Sequence, residues 1–128
     1  MPVSAEDRKG FHALCALVAN GSQVLEQDAM DLFLRMGIEP AVSRDLVVRL
    51  VSGSLDAWRL LGTEGFTGPW VRRDEMTIGS HMAELTRLEP GVAQLYADLK
   101  KEAGRWLVPD APGDPKPRPG DGNLPEKP

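Results

Sequence analysis

The chain of 128 residues predicts an all-α fold, a compact bundle of five to six short helices with a disordered Pro-rich C-terminal tail. Three observations carry this. Apolar residues recur three and four apart through most of the chain, the period of a helix face, and strict alternation is absent. Glycine, proline and serine punctuate those runs at intervals short enough for bundle helices. Finally, Pro109, Pro112, Pro115, Pro117, Pro119, Pro125 and Pro128 crowd the last twenty residues, which hold almost no apolar side chains. Such a segment buries too little surface to offset its ordering entropy. The domain is therefore expected at 1–108 and the tail at 109–128.

The first helix is expected from Ser4 to Asn20, with Ser4 as cap and Glu6 and Asp7 in the turn where carboxylates favour the dipole. Phe11, Leu14, Cys15 and Val18 form its stripe, and Asn20-Gly21 reads as a stop. Ser22 then suits the cap of a second helix ending at Met36, with Leu25, Ala29, Leu32, Phe33 and Met36 inward. Asp31 and Arg35 make a favourable i,i+4 pair on its outer side. Gly37 ends it, and Ile38 is placed for the apolar contact that follows a glycine stop.

Pro40 opens a third helix, since the first turn needs no N–H there. Val42, Leu46, Val47, Leu50 and Val51 point inward. The valines lower helix propensity and make a strand over Asp45–Ser52 the main local alternative, but the spacing follows 3.6 rather than 2. Ser52-Gly53-Ser54 reads as a stop, with a short fourth helix over Leu55–Leu61. Gly62 to Arg73 is irregular, broken by Gly65, Gly68 and Pro69, and holds Phe66 and Trp70. A fifth helix is expected over Glu75–Leu88, then a break at Glu89-Pro90-Gly91. The last, Pro90 to Leu107, has the cleanest stripe: Val92, Leu95, Tyr96, Leu99, Ala103 and Trp106.

Composition narrows the function. The formal net charge is -4, which lowers the case for nucleic acid because phosphate binding leans on Lys and Arg. The one cysteine, Cys15, excludes an intrachain disulfide and fits a reducing compartment. No secretory signal and no membrane-length apolar run is visible, so a cytoplasmic protein is expected. Catalytic and cofactor signals are lacking. Cys15 belongs to an apolar stripe beside His12, His81 stands alone, and no His, Cys or carboxylate cluster has metal-ligand spacing. Neither a catalytic residue, nor a metal, nor a cofactor is expected.

Two function classes remain. The first is a small non-enzymatic protein–protein interaction module, a regulator, adaptor or assembly factor, with a second copy of the chain among its candidate partners. Phe66, Trp70, Arg72 and Arg73 are the expected contact residues, because Trp and Arg are enriched at interface hot spots. The alternative is a helix-turn-helix DNA-binding regulator using the helix after Pro40, with Ser43, Arg44 and Arg49 facing DNA. Its turn departs from the common pattern. Val42 is five rather than six residues after Gly37, which rotates the second helix by about 100°. Phe33 stands where a small residue is needed, and Glu39 and Asp45 lie beside the arginines.

Overall fold

Six segments of helix build the chain in a computed structural model that describes residues 3–107. They are α1 (Arg8–Arg35), α2 (Pro40–Leu61), a 3-10 turn (Gly62–Gly65), a one-turn α3 (Pro69–Arg72), α4 (Glu75–Leu88) and α5 (Pro90–Ala103). The all-α expectation holds for the described residues. The expected tail at 109–128 lies outside them.

Two of the expected breaks do not occur. The chain passes through Asn20-Gly21 without interruption, so two expected helices are one helix of 28 residues. Gly21 has no positive φ, and a glycine in helical conformation costs only about 1 kcal/mol relative to alanine. Ser22 does not cap. Its hydroxyl donates to the Val18 carbonyl at 2.6 Å, the bond of a serine inside a helix. Gly53 is likewise helical, and α2 runs 22 residues from Pro40 to Leu61. Ser4 does not cap α1, which starts one turn later than expected, at Arg8; its hydroxyl oxygen accepts from the Asp7 N–H at 3.1 Å in the turn ahead of the helix.

The corner between α1 and α2 forms where Gly37 and Pro40 predict it. Gly37 takes φ 84°, its N–H donates to Leu34 at 2.9 Å, and Ile38 N–H donates to Phe33 at 3.0 Å. This pair of bonds is the Schellman stop. Glu39 then caps α2, its carboxylate accepting from the Ala41 and Val42 N–H groups at 3.1 and 3.2 Å. Asp74 caps α4 in the same way, accepting from Thr77 N–H at 3.0 Å. The α4 limits match the expected ones at both ends, and Pro90 opens α5 directly afterwards.

Packing divides the molecule. α4 and α5 fold back on each other and bury Ile78, Ala93 and Ala103. Arg35 ties the end of α1 to their corner, donating to the Leu88 carbonyl at 3.2 Å and pairing with Glu89 at 3.4 Å. The expected compact bundle is not what forms. Leu32 is the one large apolar side chain buried on α1, and none is buried on α2. The expected inward stripes of both helices stand largely open.

Candidate interaction surface

On α1 the open side chains run from Phe11 to Leu25. Leu14 is 62% exposed and Val18 68%. Gly21 lies on the same face at helical spacing. On α2 the exposed set includes Val48, Leu55, Trp58 and Leu60. Val48, Leu55 and Trp58 share one side of α2 at helical spacing, as Phe11, Leu14, Val18 and Leu25 do on α1. Trp58, 65% exposed, was absent from the expected contacts. The stripe Leu55, Trp58, Leu61 was visible in the sequence, but nothing in it says whether another element covers that face.

The aromatic loop divides. Phe66 stays open at 37% exposure, following the 3-10 turn. That turn lies tight against α2. A Cβ on Gly65 would stand 2.6 Å from the Ala57 carbonyl oxygen, so only glycine allows the approach. Trp70 folds inward instead. Gly68, at φ 91°, and Pro69 start α3 so that the indole meets Tyr96 of α5 edge-on, 5.0 Å between centroids. Its Nε1 is buried without a hydrogen-bond partner. Tyr96 in turn faces His81, its hydroxyl 3.1 Å from Nδ1. Arg72 and Arg73 remain exposed beside this cluster. Phe66, Arg72 and Arg73 are therefore accessible, while Trp70 belongs chiefly to the packing of α3 on α5.

Asp74 has a carboxyl held below its ordinary pKa of 3.8, first by the Thr77 hydroxyl and N–H, then by the charges of Arg72 and His81. Arg35 is shifted upward, chiefly by its hydrogen bond and ion pair to Asp31 at 2.5 Å and then by Glu89.

The residues of the DNA-reading alternative are spread over different environments. Ser43 is fully buried, its hydroxyl donating to the Ile38 carbonyl at 3.3 Å. Arg49 donates to Asp45 at 2.6 Å on its own helix. Arg44 lines a shallow depression with Glu39, Pro40, Ala41, Asp45 and Val48. Acidic groups thus stand beside both arginines. His12 and the free Cys15 are exposed on α1. Among the described residues no group of three or more His, Cys, Asp or Glu could hold a metal ion, and no helix is long and apolar enough to cross a membrane.

No curated protein and no solved structure matches the chain. A family model does match residues 1–103, a segment that ends with the last residue of α5. The chain belongs to the family described as a domain of unknown function, DUF2520.

Proposed function

We propose that this helical domain is a non-enzymatic protein–protein interaction module, a regulator, adaptor or assembly factor, that works through the open faces of α1 and α2. The observation that carries the reading is the paired apolar exposure on those two helices, from Phe11 to Leu25 and from Val48 to Leu60. Removing such surface from water contributes about 25 cal/mol per Å², so a partner that covers it gains a driving force the isolated domain leaves unused. Phe66, Arg72 and Arg73 add contacts beyond these helices. The acidic groups beside Arg44 and Arg49, and the burial of Ser43, weigh against the DNA-reading alternative.

A photo-crosslinking residue in place of Trp58, expressed in the source cell, tests the reading. The expected result is a discrete adduct with a polypeptide, lost when Leu55→Glu is added to the same chain. The absence of any adduct, or one indifferent to Leu55→Glu, would overturn it.

A further inference from the structure

We infer that the α1 face is closed by a second copy of this chain, packed antiparallel as an α1–α1 pair. This rests on the interaction-module reading and names one partner for it. From Gly10 to Leu25 the helix carries no charged residue, although it stands in solvent. Within that stretch Phe11, Leu14, Val18, Gly21 and Leu25 follow one another at alternating steps of three and four. That is the a/d seam of a left-handed two-helix packing. Leu17 and Val24 flank the seam and are 68% and 54% exposed.

Direction follows from size. In an antiparallel pair each a position faces a d position of the partner, and a two-fold axis near Ala16 satisfies this from Phe11 to Gly21. Phe11 then lies over Gly21 of the other copy, large against absent, and Leu14 lies against Val18. Gly21 has no atom nearer than Leu17 Cδ1, at 3.9 Å from where a Cβ would stand, so the space above it is open. A parallel pair would set Phe11 against Phe11 and leave Gly21 against Gly21.

The area suffices. Six apolar side chains from Phe11 to Leu25 are 43% to 68% exposed. At roughly 100 Å² each they offer roughly 600 Å² per copy, near the about 800 Å² per partner of a standard interface once flanking polar atoms are added. A two-fold pair is also the commonest way for a chain to close a self-complementary face.

Sedimentation of the full chain over about a hundredfold concentration range is the test. A monomer–dimer equilibrium is expected. Leu14→Glu should raise the dissociation constant about a hundredfold or more, because it places an unpaired carboxylate in the seam. Gly21→Leu should weaken the dimer roughly tenfold, because it fills the space that Phe11 of the other copy takes, and adding Phe11→Ala to that chain should restore it. These surface changes leave the helix intact, so they decide the question even if Leu14→Glu fails to fold. A monomer at every concentration, or a Gly21→Leu loss that Phe11→Ala does not rescue, would overturn the antiparallel pair. If such a monomer still gives the Trp58 adduct with another protein, the interaction-module reading stands without self-association; if it gives none, both fail.

Discussion

The two halves of the chain use similar sequence patterns to opposite ends. α4 and α5 are 14 residues each, meet at Pro90, and shield most of each other's stripes: Ile78 and Ala93 are buried, and Met82, Leu85, Leu88, Val92 and Leu95 are half-buried. α1 and α2 are 28 and 22 residues long, with stripes as regular, yet Phe11, Leu14, Val18 and Leu25 on one and Leu55, Trp58 and Leu61 on the other stand exposed. Periodicity determines which side of a helix is apolar. Whether that side becomes core depends on whether another element is present to meet it. The short pair finds its cover within the chain, and the long pair extends past the elements that could supply one.

Truncation in each half gives the largest expected contrast. Ile78→Ala removes a side chain that is 5% exposed between α4 and α5 and should cost about 2–4 kcal/mol in urea unfolding. That loss should be the same at any protein concentration. Leu17→Ala removes one that is 68% exposed and should cost less than about 0.5 kcal/mol in dilute protein. If α1 self-associates, the cost of Leu17→Ala grows as the protein is concentrated. Equal and concentration-independent costs at the two sites would erase the distinction between the halves.

How much of this was legible follows from the same contrast. The α4 limits were readable because Asp74 and Pro90 act locally. A side-chain cap and a missing N–H exert their effect within one turn, whatever lies elsewhere. Gly37 and Pro40 were readable for the same reason. Gly21 and Gly53 misled because a glycine permits a stop without imposing one. The phase of the stripe carried the missing information. Val18 to Leu25 spans two turns without a shift, and Val51, Leu55 and Trp58 continue in step across Gly53. A true break would have let the next stripe restart at an arbitrary angle. Exposure could not be read at all, so the candidate surface moved from the loop around Trp70 to α1 and α2. The inward turn of Trp70 depends on Tyr96, 26 residues away in sequence, and no local pattern encodes that meeting.

The join between α2 and the rest offers a second, smaller test. Gly65→Ala would press a methyl against the Ala57 backbone, at 2.6 Å from its oxygen and 2.8 Å from its carbonyl carbon. Neither atom can swing aside as a side chain would. A loss of about 1–3 kcal/mol is expected in thermal unfolding. A neutral result would mean that the 3-10 turn is not held against α2 in solution, and the long half would then be looser still.

On the α4 side, Asp74 gives an acid-dependent prediction. Its carboxyl is depressed in the folded state below 3.8, so it contributes stability that is fully present above that value and is lost as pH falls through the folded one. Asp74→Asn keeps an acceptor for the Thr77 N–H but removes the titration. The stability difference between the parent and Asp74→Asn should be constant above about pH 5 and shrink toward pH 3. Urea midpoints across that range measure it, and a difference that widens with acid would contradict the sign.

The smallest expected effect lies at Arg73, between the two halves. Its φ of 54° and ψ of 40° place a long side chain in the left-handed region, the one non-glycine residue to adopt it among the described residues. That conformation costs an L residue about 1–2 kcal/mol, and here it lets the Arg73 and Asp74 N–H groups donate back to Trp70 at 3.3 Å and Pro69 at 3.0 Å. The chain thereby ends α3 and turns directly into the Asp74 cap of α4. Glycine removes the steric cost but adds freedom to the unfolded chain, and these terms partly offset. Arg73→Gly should therefore stabilise the domain by about 0.5–1 kcal/mol, read as a higher urea midpoint with an unchanged slope. Arg73→Val, which is branched at Cβ, should lower it by a similar amount or more. If both substitutions leave the midpoint where it is, the turn is not fixed in this conformation, and Trp70 loses the backbone that directs it onto Tyr96.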